Sequence, residues 1–334
     1  SGRPGVALLH VGPGITNAVT GVATASFDSV PMLVLAGDVP SYYEGRGPHQ
    51  EFNLRRDADQ ISVHEPFVKR AWRVRRADQV PRVLARAWDT ALAGRPGPVL
   101  VSLPMDISGE VLEAEVVPAS PVARPALDAD TVEAIVAELR GADRPFLLAG
   151  GGTRSAVDQF RRLAEVSGAA VAHTLMGTGV LPPDHPQLVG VVGFWGSPAA
   201  NRLASEADVM LAVGTRFPET DSSSWEPGVT FRIPPTRLIH IDIDPHEPGR
   251  NYPTTIAATA DAELALAAIA DAYGSPTRER GYDWAALREE REVFLAPSTA
   301  NASSNEVPLL PERILADVRK AAPDAILVTD VGWN

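Results

Sequence analysis

The chain begins with an apolar run that ends in a glycine-flanked turn, and the same pattern returns further along. Residues 6–11 are apolar except for His10, and the run ends at Gly12, Pro13 and Gly14, which we call the GPG turn. Residues 32–36 form a second apolar run. Short apolar runs bounded by turn residues are typical of buried strands, and stretches of helical spacing lie between them. The pattern therefore predicts an α/β fold with a parallel sheet covered by helices on both faces.

A second alternating unit begins near Asp128. The predicted strands cover residues 145–149, 169–173, 209–213 and 238–243, and the predicted helices cover residues 131–139, 155–167 and 261–273. Strands that end in glycine or polar residues and are separated by helices predict a six-stranded Rossmann-like sheet.

In the first unit, Thr16 or Asn17 follows the GPG turn and offers a side-chain cap for the first helix.

Composition shifts divide the chain into consecutive parallel-sheet domains. The predicted divisions are a first domain over residues 1–117, a linker over 118–127, a central domain over 128–273, a connector over 274–307 and the start of a third domain over 308–334. The linker is rich in proline and lacks periodicity. The last division predicts a helix over 312–322 and a strand over 325–330, a pair that cannot bury its own apolar face.

Charge and composition are those of an ordinary water-soluble protein. The formal net charge is −12, which argues against a nucleic-acid surface. No apolar run approaches the ~18 residues that span a bilayer, so we expect no membrane partner. The chain has no cysteine, which excludes disulfides and fits a cytoplasmic protein.

Three motifs resemble the thiamine-diphosphate-dependent enzymes of the acetolactate synthase group. They are GVALLHVGPGITNAVTGVATASFDSVPMLVLAGDVP at residues 5–40, AGRPGPVLVSLPMD at 93–106 and LIHIDIDP at 238–245. The matches run in family order over nearly the whole chain. The resemblance implies the C-terminal part of a pyrimidine-binding domain, a central domain and the beginning of a diphosphate-binding domain, with the chain truncated at both ends.

By this resemblance the cofactor is thiamine diphosphate. The GPG turn and Asn17 would line its aminopyrimidine ring, and Gly332 would lie close to the diphosphate. By itself such a turn fits a plain strand–helix connection equally well. The family's catalytic glutamate is expected upstream of Ser1, and its Gly-Asp-Gly motif for Mg²⁺ beyond Asn334, so we expect no metal ligand in this chain and no activity of the fragment alone.

The loop over residues 46–51 matches the family's substrate-facing Phe-Gln-Glu. Gln50 would offer an amide donor to a developing oxyanion or a substrate carboxylate. His49 replaces the usual aromatic residue and could add a proton-transfer group. The alternative is a solvated loop histidine, because loops collect polar residues whether or not they take part in chemistry.

Several positions of the central domain resemble the family's FAD site. The positions are Arg95, Gly150, Gly151, Gly152, Thr174, Leu175, Gly193, Phe194, Gly214, Arg216, Asp242 and Asp261. Asp242 would contact a nucleotide ribose at a strand end. The sequence departs from the family where Pro218-Glu219-Thr220 replaces Asp-Asp-Arg. Relatives bind FAD, ADP, coenzyme A or nothing there, and a ligand-free domain kept for packing stays an alternative.

The resemblance implies a carboligase or lyase. It would decarboxylate a 2-oxo acid and pass the resulting carbanion to an acceptor carbonyl. Family active sites form between subunits, which implies a homodimer or homotetramer. The alternatives are a 2-hydroxyacyl-CoA or oxalyl-CoA lyase or decarboxylase of the same fold, and a non-catalytic nucleotide-binding homologue.

Overall fold

A computed structural model of the chain describes residues 2–51, 59–120, 122–275 and 280–328. It divides into two compact units, Ser1–Arg124 and Pro125–Asn334. The division falls inside the stretch 118–127, for which the sequence predicts a linker. In the described ranges every helix is too short or too polar to traverse a lipid bilayer.

The first unit contains a four-stranded parallel sheet in the order β1-β2-β4-β3. Its strands are β1 Gly5–Leu9, β2 Met32–Asp38, β3 Ala71–Arg73 and β4 Pro98–Pro104. Its α-helices are α1 Pro13–Asn17, α2 Val19–Phe27, α3 Val80–Leu92 and α4 Met105–Ser108, with short 3-10 helices at Ser41–Tyr43, Gln60–Val63, Glu65–Phe67 and Ala77–Gln79. In the register, Arg73 lies opposite Ser102. The carboxyl ends of the strands therefore bring polar residues to one edge of this sheet.

Both faces of the central strands β2 and β4 are covered, as the apolar runs predict. The prediction that the first apolar run is buried is wrong for β1, where Val6 is 60% and Leu8 is 79% exposed. Val99 and Val101 cluster with Ala87 and Ala91 of α3, which are fully buried. Leu100, whose side chain points to the opposite face, clusters with residues of α2 instead. This alternation explains why β4 is apolar at nearly every position.

The first helix starts differently from the expectation. Helix α1 begins at Pro13, its N-cap residue is Gly12, and no side chain caps it. The prediction that Thr16 or Asn17 caps this helix is therefore wrong. Proline suits the first helical position because it lacks the N–H that would be unsatisfied there and has a fixed φ. The hydroxyl of Thr16 instead donates to the Pro13 carbonyl at 3.1 Å.

The second unit contains a six-stranded parallel sheet in the order β10-β9-β8-β5-β6-β7. Its strands are β5 Pro145–Ala149, β6 Ala170–His173, β7 Leu188–Val191, β8 Val209–Val213, β9 Arg237–Asp242 and β10 Ile256–Thr259. Its α-helices are α5 Ala129–Gly141, α6 Val157–Ser167, α7 Pro198–Glu206, α8 Ala262–Tyr273, α9 Trp284–Asn301 and α10 Pro311–Ala321, with 3-10 helices at Gly151–Thr153, Leu175–Gly177 and Thr220–Trp225. The prediction of consecutive parallel-sheet α/β domains is confirmed.

Two hydrophobic cores lie on the two faces of this sheet. In β5, Leu147 belongs to the core formed with α5, α6 and α8. Its neighbours Phe146 and Leu148 belong to the core formed with α7. The two outer strands β7 and β10 are additions to the four strands that the sequence located.

The structure differs from the sequence prediction after α8. The segment predicted as a connector supplies Arg280 and Leu287, which are buried in the second unit. The Arg280 guanidinium donates to the carbonyls of Ser167 and Leu139, at 3.0 Å each, and to that of Ala142. These carbonyls lie at the carboxyl ends of α5 and α6, where the helix leaves them unpaired. A polar segment is thus part of the core because it satisfies helix ends.

The end of the chain corrects one further expectation. Helix α9, Trp284–Asn301, lies within the segment that the sequence assigns to a connector. Residues 325–328 belong to no strand, although the sequence predicts one over 325–330. An isolated strand has no neighbour to pair with here. The remainder of that predicted strand and Gly332 lie outside the described residues.

Candidate functional site

The GPG turn lies against the loop that carries Gln50. Gly12 has φ of 62°, and a Cβ added to it would lie 2.0 Å from the Gln50 carbonyl oxygen. Gln50 itself has φ of 66°. The structure therefore brings together two regions that the sequence singles out separately. It also gives a structural reason for the glycine, because the space without a side chain admits the Gln50 main chain of the same protein.

The rest of the turn offers a surface to a small molecule. Pro13 and Asn17 are exposed, and so are His49 and Gln50. Asn17 has no side-chain partner among the described residues, so its amide can donate to and accept from a ring nitrogen. An exposed amide beside a main-chain wall fits an aminopyrimidine ring. His49 likewise has no partner in the described part of the chain.

A buried polar network lies at the carboxyl ends of β2 and β4. The Asp38 carboxylate accepts a hydrogen bond from Ser102 Oγ at 2.7 Å and lies 3.1 Å from Arg73 Nε. Gln60 Nε2 donates to the Gly37 carbonyl at 2.8 Å and to Ser102 Oγ at 3.2 Å. Burial raises the pKa of Asp38, and the Ser102 hydroxyl and the Arg73 charge oppose that rise. The sequence analysis missed this network, although the position of Asp38 directly after a strand is a signal for it.

His64 connects the following segment to α1. Its Nε2 lies 2.8 Å from the Ile15 carbonyl oxygen, and its side chain is fully buried. Because a carbonyl only accepts, Nε2 carries the hydrogen of this bond. The contact holds α1, and with it the exposed Asn17, against the buried interior of the first unit.

The residues predicted for a nucleotide do not all lie in one unit. Arg95 belongs to the first unit, where its Nε donates to Ser29 Oγ at 2.9 Å. The other described residues of that set belong to the second unit. The guanidinium of Arg95 thus has a structural partner of its own.

At the carboxyl edge of the second sheet, the turns after β5 and β8 touch. A Cβ on Gly150 would lie 2.0 Å from the Gly214 carbonyl oxygen, and Gly152 N–H donates to that oxygen at 3.0 Å. A Cβ added to Gly151 would lie 3.1 Å from the Cβ of Met176, in the turn after β6. Thr174 N–H donates to the Ala149 carbonyl at 3.0 Å. The predicted turns do meet, and the glycines allow main chain to pack on main chain.

Gly193 and Phe194 follow β7 and lie at the same edge, where they contact the segment that follows Arg216. Phe194 N–H donates to the Thr220 carbonyl at 2.9 Å. The Asn201 side chain holds Gly193 with two hydrogen bonds. The Gly193 N–H donates to Asn201 Oδ1 at 2.9 Å, and Asn201 Nδ2 donates to the Gly193 carbonyl at 3.0 Å. Asp221, which follows Thr220, is buried, and its carboxylate accepts a hydrogen bond from the Leu175 N–H. These contacts join the turn after β7 to the turn after β6.

Apolar side chains are exposed along this edge. Phe194 is 52% exposed and Trp195 is 60% exposed, with their rings edge to face and 6.2 Å between centroids. Leu175 and Met176 are also exposed. A planar ring system could cover such side chains. A cavity of about 120 Å³ lies beside Arg154 and Thr178 and is smaller than a typical ligand pocket.

Two aspartates predicted for the nucleotide have structural hydrogen bonds. Asp242 Oδ1 accepts from the Asp244 N–H at 2.9 Å. Asp261 caps α8 by accepting from the Leu264 N–H at 3.2 Å. Within the described ranges, no group of three or more histidine and carboxylate side chains could hold a metal ion.

Asp221 gives the second unit a pH-dependent stability. Burial raises its pKa to about 6, while the Leu175 N–H and the Arg216 charge oppose the rise. The folded chain then binds more protons than the unfolded chain between about pH 4 and pH 6, so the free energy of unfolding falls as pH rises through that window. We expect Asp221→Asn to add about 1–2 kcal/mol above pH 7 and nothing at pH 4, measured by urea unfolding.

The matched control is Asp158→Asn, because the Asp158 side chain is 81% exposed. It should leave the pH profile of unfolding unchanged. An equal gain from Asp221→Asn at both pH values would contradict a titrating Asp221.

Two sequence models of known protein families match the chain. Residues 1–62 match the N-terminal TPP binding domain of the thiamine pyrophosphate enzymes. Residues 132–269 match the central domain of the same enzymes. The first match contains the GPG turn and Gln50, and the second contains the whole six-stranded sheet from β5 to β10.

Similar curated proteins are named acetolactate synthase large subunits. The chain is 36% identical over 345 residues to that of Parasynechococcus marenigrum, covering 100% of this chain and 54% of the relative. It is 33% identical over 354 residues to a probable one of Methanocaldococcus jannaschii, covering 100% and 57%. It is 31% identical over 336 residues to isozyme 1 of Escherichia coli, covering 100% and 57%. The chain thus spans about half the length of these relatives, and it belongs to the thiamine pyrophosphate enzyme family, of which it carries N-terminal and central domains.

Proposed function

We propose that this chain forms part of a thiamine-diphosphate-dependent carboligase similar to acetolactate synthase. The enzyme would decarboxylate a 2-oxo acid and join the remaining acyl unit to an acceptor carbonyl. Thiamine diphosphate, when bound, supplies the nucleophilic carbon and the electron sink for this reaction. The observation that supports the proposal most directly is the close approach of the Gln50 main chain to the GPG turn, because the Gln50 amide would then lie near a ring bound against that turn.

The residues of this chain would bind the cofactor ring and orient the substrate. Pro13 and Asn17 would contact the aminopyrimidine ring, since both are exposed on the turn and Asn17 has no described side-chain partner. Gln50 would donate a hydrogen bond to the substrate oxygen on which negative charge develops.

The test is CO₂ release from pyruvate by the complete gene product, with thiamine diphosphate and Mg²⁺ added. We expect Gln50→Ala to lower kcat/KM by about 10²-fold, because one preorganised donor to a developing oxyanion has that effect. Affinity for thiamine diphosphate should stay unchanged. Gln159→Ala, on a helix of the second unit, is the matched control and should retain full activity. Full activity of Gln50→Ala, or no dependence on thiamine diphosphate, would contradict the proposal.

For the central domain we propose FAD as the ligand. The support is the joined set of turns at the carboxyl edge of the sheet, together with exposed Phe194 and Trp195 beside them. A flavin absorption spectrum of the purified protein is the direct test. Trp195→Ala should weaken FAD binding about tenfold through lost ring contact, whereas Phe294→Ala on α9 should not. A colourless protein that fails to bind added FAD would refute this ligand.

We further propose that the enzyme is a homodimer or homotetramer, as the family's shared active sites imply. Sedimentation equilibrium of the complete gene product measures its mass directly. A monomer with full activity would contradict this assignment.

A further inference from the structure

Arg73 joins the end of β2 to the loop that carries Gln50. Its Nε lies 3.1 Å from Asp38 Oδ2, and its Nη1 donates to Glu44 Oε1. Asp38 is the last residue of β2, and Glu44 belongs to the loop that continues towards Gln50. We call Asp38, Arg73 and Glu44 the anchor triad. One guanidinium thus bridges two carboxylates that belong to different segments.

The inner half of the anchor triad is rigid. The Asp38 side chain is 2% exposed, and that of Arg73 is 17% exposed. Asp38 Oδ1 also accepts from the Val39 N–H at 2.8 Å, and Oδ2 accepts from Ser102 Oγ. Since β3 pairs Arg73 with Ser102, the sheet register itself sets where the guanidinium lies. Charge-assisted bonds of a planar guanidinium are strongly directional, so its position dictates that of the second carboxylate.

The outer half of the triad is the attachment of the loop. The Glu44 side chain is 47% exposed, so the loop meets the sheet at the protein surface. A second attachment lies three residues earlier, where Ser41 donates to Asp106 from its N–H at 2.9 Å and from its hydroxyl at 2.5 Å. Between Glu44 and Gln50, the Arg46 N–H bonds locally to the Tyr43 carbonyl. The Glu44 carboxylate is therefore the side chain through which this part of the loop attaches to the sheet.

We propose that Arg73 is a positioning residue that holds the Gln50 loop on the GPG turn through Glu44. Gln50 reaches that turn by its main-chain carbonyl, which leaves its side chain free to face a ligand. Loss of the bridge would let Gln50 move away from the turn. The functional consequence rests on the proposed function, but the geometry of the loop does not.

The absence of cysteine makes the loop directly measurable. A nitroxide spin label attached at His49→Cys reports loop motion, because His49 is exposed and lies next to Gln50. We expect Arg73→Met to raise the label's mobility about twofold or more, in the nanosecond range typical of released loops. Arg76→Met is the matched control, since Arg76 is 71% exposed and pairs with Asp78 on its own segment. It should leave the spectrum unchanged.

A second variant keeps the test decisive if Arg73→Met fails to fold. Glu44→Gln removes the charge from the exposed end of the triad and leaves the buried Asp38–Arg73 pair intact, so it should fold and still release the label. Arg73→Lys should give an intermediate mobility, because an ammonium lacks the planar fork that spans both carboxylates. A spectrum that stays unchanged in Glu44→Gln would overturn the proposal.

The complete enzyme separates this inference from the proposed function. Glu44→Gln should lower kcat for the 2-oxo acid about tenfold, because misplacement of an orienting group by an ångström is costly. Its thermal midpoint and its affinity for thiamine diphosphate should be unchanged. A protein without thiamine-diphosphate activity but with the mobile label would contradict the proposed function alone. A mobile label with unchanged kcat would overturn the positioning role.

Discussion

Replacing Gly12 by alanine should force the Gln50 loop off the GPG turn and destabilise the first unit by about 2–4 kcal/mol. A non-glycine residue at φ of 62° costs about 1–3 kcal/mol by itself. The added methyl group would also lie 2.0 Å from the Gln50 carbonyl oxygen, which is main chain and can yield only if the loop moves. Overpacking of this kind costs about 1–3 kcal/mol. We therefore expect a lower urea midpoint together with increased tryptic cleavage after Arg46.

The matched control for Gly12→Ala is Gly21→Ala. Gly21 lies within α2, and nothing lies within 4 Å of its added Cβ. Alanine in a helix should stabilise the protein by up to about 1 kcal/mol. A Gly12→Ala protein with wild-type stability and wild-type cleavage would show that the contact between turn and loop does not exist in solution.

Replacing Gly150 by alanine should destabilise the second unit by about 3 kcal/mol, whether or not a nucleotide is bound. The added methyl group would lie 2.0 Å from the Gly214 carbonyl oxygen and 2.6 Å from the Thr215 Cα. Both atoms are main chain at the end of β8, in the middle of the sheet. Relief requires separating two paired strands, so the cost should be near the upper end for overpacking, at about 3 kcal/mol.

The measurement is denaturant unfolding of the nucleotide-free protein, with Gly141→Ala as the control. Gly141 is the last residue of α5, and nothing lies within 4 Å of its added Cβ. The comparison also separates the two explanations of the glycine turn. Packing predicts a loss without ligand, whereas a pure ligand-contact role predicts wild-type stability of the nucleotide-free Gly150→Ala protein.

The strand and turn pattern of the fold could be predicted because buried parallel strands have a simple sequence signal. Strands β5 and β8 lie in the middle of the sheet, and both are fully buried runs of five residues. The edge strands β7 and β10 each have four residues and face solvent in part, so their apolar signal is weak. The burial of Arg280 could not be predicted from the sequence either. An arginine is buried here because it donates to carbonyls at two helix ends, and the positions of those ends are known only from the fold.

The sequence proposes members of the candidate site but gives no indication of their contacts. The motif match picks out the GPG turn, Gln50 and the glycine turns of the central domain. It assigns their glycines to ligand approach, whereas Gly12 and Gly150 admit main chain of the same protein. The anchor triad and Asp221 escape sequence reasoning, because each acts through residues that are distant along the chain.

The sequence by itself determined the family, the order of the parallel-sheet units and the positions of the strand-end turns. It could do so because apolar periodicity and glycine turns are local properties of the chain. Only the tertiary structure decided which turns touch, which charges are buried and what each glycine makes room for. Those outcomes depend on strand order and register, which place Arg73 opposite Ser102 and the Gly150 turn against Gly214. The GPG turn illustrates both contributions. Its sequence indicates the enzyme family, and the tertiary structure shows that it packs against the main chain of Gln50.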